Sequence, residues 1–190
     1  MKKSIIIWTI ALTLIVVAVY TTYQYNNQPT PAPSEAQTQE PSDTTDPDEE
    51  TVDSIDAIDF KLNDLTGKEV LLSNYKGKNI YVNFWASWCD PCKYEMPFLE
   101  QLYKERKDTD LVILTVNLQE SKSVVDKFMA DNKYTFPVLL DKDGEAANTY
   151  GIQSIPLSIL IDKDFKIVSA HEGSMENYEM IRDFVDQLKE

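Results

Sequence analysis

Residues 80–85, Ile-Tyr-Val-Asn-Phe-Trp, form an uncharged run suited to the middle of a sheet, and a helix-like pattern begins a few residues later at Pro91. Between them stands Trp88-Cys89-Asp90-Pro91-Cys92, which holds the only two cysteines of the chain. This step from strand to helix constrains the fold more than any other feature, because a buried strand must hand the chain to a helix N-terminus that carries both thiols. Pro91 suits the first helical turn, where its missing N–H would find no partner in any case. A disulfide between residues three apart closes a loop too short to remove much entropy from the unfolded chain. Its structural value is poor, so a dithiol built for exchange is the better reading.

Strand and helix patterns alternate around this step. Residues 59–65 and 69–72 flank Thr66-Gly67 as a hairpin signal. Phe98, Leu99, Leu102 and Tyr103 recur at helical spacing to about residue 107. Residues 111–117 read as a buried strand, 123–131 as a helix, 137–140 as a strand, 141–144 as a turn and 146–150 as a short helix. Two strands, 157–162 and 167–170, surround a Lys163-Asp164 turn, and a helix over 178–188 closes the chain. The order predicts an α/β fold with a mixed, largely parallel central sheet covered by helices on both faces.

The first 54 residues are of another kind. Lys2 and Lys3 precede 5–23, a stretch of 19 residues without a charge, which would reach ~28 Å as a helix and so nearly match a bilayer core. The lysines before it and the acids after it orient the expected span with residues 1–4 in the cytoplasm. A cleaved signal peptide is the alternative, weakened by Tyr20, which spoils the small-x-small site in Ala18-Val19-Tyr20. Residues 24–54, rich in Pro, Thr, Gln and acids, read as a disordered tether that leads to one folded domain over 55–190. The net charge is −14; without the ten acids of 26–60 and the two N-terminal lysines, 16 basic residues still face 22 acidic ones. Such a balance argues against nucleic acid or an anionic membrane surface as a partner.

Phe84-Trp85-Ala86-Ser87-Trp88-Cys89-Asp90-Pro91-Cys92-Lys93, then Glu95-Met96-Pro97, and later Tyr150-Gly151-Ile152-Gln153-Ser154-Ile155-Pro156, resemble the membrane-anchored, extracytoplasmic thioredoxin-like proteins of the TlpA/ResA type. The resemblance runs from about residue 55 to the end. It implies a thioredoxin-like fold with an N-terminal β-hairpin extension, a cis proline at Pro156 and thiol-disulfide oxidoreductase activity in the bacterial cell membrane. The partners it implies are exported cysteine-containing proteins, apocytochrome c among them, and a membrane thiol-disulfide donor that returns electrons.

Residue chemistry assigns the parts. Only a thiolate attacks a disulfide, and a helix N-terminus favours one, so Cys89, just ahead of the helix, is the expected nucleophile. Cys92, one turn inside, is the expected resolving thiol. A carboxylate at Asp90 disfavours the neighbouring thiolate, which tilts the couple toward a reductant. Glu95 follows Cys92 by three positions and would share its helix face. The resemblance marks Glu95 as an active-site acid, while position 83, which holds a buried acid in cytoplasmic thioredoxins, is Asn83 here; Glu95 is thus the candidate acceptor for the Cys92 proton. Trp88, Asp90, Pro91, Ile155 and Pro156 are the expected client contacts, with Trp85 in the core. His171, the lone histidine, reads as solvent-exposed or capping. No cofactor and no metal are expected. Two alternatives stay open: a disulfide-forming oxidant of the same fold, and a client-binding or metal-binding module without turnover.

Overall fold

The computed structural model describes residues 55–188. The expected cytoplasmic N-terminus, membrane span and tether lie outside the described residues. Among the described residues no helix is long and apolar enough to cross a membrane.

The chain opens with a two-residue strand, β1 (Ile55–Asp56), and the expected hairpin, β2 (Lys61–Asp64) with β3 (Glu69–Leu71). Asp64 builds the hairpin turn: one carboxylate oxygen accepts the N–H groups of Thr66 and Lys68 and the Thr66 hydroxyl. A 3-10 turn (Leu72–Tyr75), absent from the sequence reading, leads to β4 (Asn79–Trp85), all seven residues of which are buried. Then follow α1 (Asp90–Arg106), β5 (Leu111–Leu118), α2 (Lys122–Asn132) and β6 (Val138–Asp141). The chain ends through α3 (Glu145–Thr149), β7 (Leu157–Ile161), β8 (Lys166–Glu172) and α4 (Tyr178–Val185).

Eight strands form one sheet in the order β1-β8-β7-β4-β5-β6-β2-β3. The sheet is mixed, as expected, yet it is not largely parallel. Of its seven pairings only β4 with β5 and β5 with β6 are parallel. Two of the antiparallel pairs are hairpins, whose tight turns permit nothing else. β7 also runs antiparallel to β4, after residues 150–156 carry the chain on from α3. The chain enters β7 at the end of the sheet where β4 stops, and Leu157 faces Phe84.

Strand alternation splits the interior in two. Ile80, Val82 and Phe84 join Leu114, Val116, Leu139, Ile159 and Ile161 on the face covered by Phe60, Leu72, Ala146 and Phe165. Tyr81 and Trp85 join Ile113, Val138 and Leu160 on the other face, beneath Met96, Leu99 and Leu102 of α1, Val125 and Met129 of α2, and Ile181 and Phe184 of α4. On this second face Ser158, Asn83 and Thr115 stand side by side across β7, β4 and β5, all buried. A row of polar residues thus crosses the core on the face that α1 covers.

Candidate active site

Trp85 ends β4, and the chain turns through Ala86, Ser87 and Trp88, with the Cys89 N–H donating to the Ala86 carbonyl at 3.2 Å. Cys89 caps α1 with extended backbone (φ −83°, ψ 108°), and its Sγ accepts the Cys92 N–H at 3.1 Å. Sulfur takes the place that a Ser or Asp oxygen fills at most helix starts, so one of the unpaired N–H groups of the first turn points at Cys89. The two cysteines are joined as a disulfide with Cα atoms 5.3 Å apart. Cys89 retains 5% of its surface and Cys92 none. A client sulfur can approach the first and not the second.

The Ile155–Pro156 peptide is cis. The Ile155 carbonyl oxygen lies 3.6 Å from Cys89 Sγ, a contact without a proton while the sulfur is in the disulfide. The Gly173 N–H donates to the Pro156 carbonyl at 2.9 Å and ties this loop to the end of β8. Trp88 is 67% exposed beside Cys89, while Trp85 is fully buried against the Phe128 ring at 5.1 Å between centroids. Asp90 projects into solvent and pairs with Lys93 at 2.5 Å.

Glu95 is fully buried. Its Oε1 accepts the Asn83 amide at 2.8 Å and its Oε2 the Met175 N–H at 3.1 Å. Burial outweighs both bonds and pushes its carboxyl up to about 7. The lysines that could have drawn it to the surface are engaged elsewhere, Lys93 with Asp90 and Lys104 with Glu100. Asn83 donates its second amide hydrogen to Ser158 Oγ at 3.0 Å, and Ser158 meets the Tyr81 hydroxyl at 2.9 Å. A buried polar chain thus runs from Tyr81 through Ser158 and Asn83 to Glu95. Burial, with the charge of Glu95 nearby, holds the Tyr81 hydroxyl far above the usual range and therefore neutral.

Sequence reasoning did not include Ser158, Tyr81 or Met175 in the site. The first left a signal: Ser158 is the lone polar residue of an otherwise apolar strand. Met175 contributes a backbone N–H, for which a side-chain pattern carries no trace. A carboxylate at Glu120, which bonds Ser87, was missed as well. His171 corrects its expectation: it is half-buried and packs on Phe184 at 5.9 Å, because the α4 face covers β8 at that point. Among the described residues no group of three or more His, Cys, Asp or Glu is placed to hold a metal ion.

A model of the AhpC/TSA family matches residues 55–170. The chain belongs to this family. It is similar to the thiol-disulfide oxidoreductase ResA of Bacillus subtilis strain 168, with 39% identity over 134 residues, which cover 70% of this chain and 74% of that one. Among solved structures it resembles StoA from Bacillus subtilis, at 32% identity and a TM-score of 0.60 over 68% of this chain and 97% of StoA. It also resembles the pneumococcal exposed lipoprotein thioredoxin of Streptococcus pneumoniae, at 35% identity and a TM-score of 0.61 over 69% of this chain and 100% of that one. The fold is thioredoxin-like, and the protein is a thiol-disulfide oxidoreductase of the ResA/StoA type with a Cys-X-X-Cys pair.

Proposed function

We propose that this protein reduces disulfides of exported proteins outside the cytoplasmic membrane, with Cys89 as nucleophile, Cys92 as resolving thiol and Glu95 as proton acceptor. The observation that carries the reading is the buried carboxyl of Glu95, one turn beyond the buried Cys92 and held near neutrality. In the reduced protein the Cys89 thiolate attacks a client disulfide, forms a Cys89–client bond and releases the other client sulfur as a thiolate. Glu95 takes the Cys92 proton, and the Cys92 thiolate then attacks Cys89 Sγ and expels the second client sulfur. The client gains two electrons and the Cys89–Cys92 disulfide reforms. A membrane dithiol donor supplies the two electrons that reopen it.

The exposed Trp88 beside Cys89 and the Ile155 carbonyl 3.6 Å from Cys89 Sγ support an extended client segment at Cys89, with the Ile155 backbone available for pairing. Asp90 supports the reducing direction, partly offset by its pairing with Lys93. The charge-free stretch 5–23 after two lysines supports a tethered, extracytoplasmic domain. So does the likeness to the pneumococcal protein, an exposed lipoprotein. Apocytochrome c is one client of the right chemistry.

Replacing Cys92 by Ser should trap exported proteins on Cys89 as mixed disulfides. An empty trap in a folded variant whose Cys89 still alkylates sinks the exchange scheme. Equilibration with glutathione sets the direction: a potential well above about −180 mV marks an oxidant and overturns the reducing assignment.

A further inference from the structure

The turn that carries Trp88 and Cys89 is tied to the sheet by one carboxylate. Glu120, in the connection between β5 and α2, accepts the Ser87 N–H on Oε2 at 2.7 Å and the Ser87 hydroxyl on Oε1 at 2.5 Å. Its Oε2 also accepts the amide of Asn117 at 2.8 Å, and Asn117 is fully buried in β5 beside Trp85 of β4. The backbone spends conformational freedom to aim this group. Gln119, the residue before it, sits in the left-handed region at φ 56°, which side chains disfavour, and is held there by its N–H bond to the Asp141 carbonyl at 2.9 Å.

We propose that Glu120 is a positioning residue for thiol-disulfide exchange: through Ser87 it fixes the turn so that Cys89 Sγ stays over the Cys92 N–H once the disulfide has opened. In the oxidised protein the S–S bond itself ties Cys89 to α1. In the reduced protein that tie is gone; the backbone bonds from Lys93 N–H to the Cys89 carbonyl at 3.0 Å and from Cys89 N–H to the Ala86 carbonyl remain, and the two bonds from Ser87 to Glu120 are the side-chain tie that holds the turn against the neighbouring β5–α2 connection. Thiolate stabilisation at a helix start falls off within one turn, so a Cys89 that drifts from the first N–H groups ionises less readily.

The sign of the effect separates this role from a simple charge effect. As a mere neighbouring carboxylate Glu120 would disfavour the thiolate; removing it would then make Cys89 more acidic. As a clamp, its removal makes Cys89 less acidic. Gln fits the same three contacts: its oxygen accepts from the Ser87 and Asn117 N–H groups, and its amide donates to the Ser87 hydroxyl.

The test is the pH profile of Cys89 alkylation by iodoacetamide in the reduced full-length chain, followed by the mass of the Cys89 peptide. Glu120→Ala should raise the midpoint by about half a pH unit and slow alkylation at neutral pH about threefold. Glu120→Gln should give a midpoint at or below that of the wild type. A rise confined to the Ala variant supports the clamp, and every other pairing of the two results overturns it. Should Glu120→Ala fail to fold, Ser87→Ala keeps the charge and removes one of the two bonds; a smaller rise supports the clamp and an unmoved midpoint overturns it.

Discussion

Asn83 holds Glu95 by a 2.8 Å bond from its side-chain amide to Oε1, and spends its other amide hydrogen on Ser158. The acid on α1 is therefore oriented by strand β4, at the position where cytoplasmic thioredoxins carry an acid of their own. With both hydrogens committed, Asn83 presents only donors to Glu95 and cannot exchange its proton. Its Oδ1 has no partner among the described residues.

The carboxyl of Glu95 should make stability depend on pH. Its folded value of about 7 lies above the ordinary 4.5, so the folded state holds more protons than the unfolded one between those limits. Its contribution is fully present below about pH 4.5 and is lost as pH rises through about 7, by ~3 kcal/mol at most. Urea unfolding of the wild type and of Glu95→Gln across this window should show a difference that widens with pH in favour of Gln. A constant difference would contradict the placement of this group.

Asn83→Ala removes a bond that favours the ionised carboxylate, so Glu95 should titrate higher still. Leaving the buried oxygen without that donor should also cost about 1–3 kcal/mol. Infrared titration of the carboxyl band measures the shift directly. An unchanged or lowered midpoint would mean that the amide does not set the acidity of the site.

Trp88→Ala should leave stability within about 0.5 kcal/mol, since the ring is 67% exposed. It should instead weaken client capture in the Cys92→Ser background, by at least severalfold if the indole supplies apolar contact beside Cys89. Trp85→Ala is its counterpart in the core and should cost about 3–5 kcal/mol. Thermal melts of both variants, paired with trapping yields, separate surface from core. Equal losses of stability in the two would refute the distinction.

Lys93 screens Asp90 at 2.5 Å. Lys93→Met should expose that charge to Cys89 and raise the midpoint of its alkylation profile by a few tenths of a unit, and Asp90→Asn should lower it by a similar amount. Both effects should fade at high salt because the pair is exposed. Shifts of the same sign in the two variants would show that local structure rather than charge is responsible.

Much of the site was legible because it is local. Cys89, Asp90, Pro91, Cys92 and Glu95 lie within seven residues on one helix start, where spacing alone fixes which groups share a turn. Trp85 and Trp88 were separable because one ends a buried run and the other falls in the turn after it. Ile155 and Pro156 were legible only through resemblance, since no local rule brings Ile155, 66 positions away, to within 3.6 Å of Cys89. Of the partners of Glu95, Asn83 was marked through the resemblance, but Met175 was not legible: it lies 80 residues downstream and offers only its backbone.

The sequence by itself determined where strands and helices run, because apolar periodicity and turn residues act over a few positions, and it determined that a dithiol stands at a helix mouth. The tertiary structure decided the direction of the strands, because an apolar pattern reads the same for a parallel and an antiparallel neighbour. It also decided the surroundings of each reactive group. Acidity depends on burial and on donors brought from distant strands and loops, and neither is set until Asn83, Ser158, Met175 and Glu95 meet in one interior.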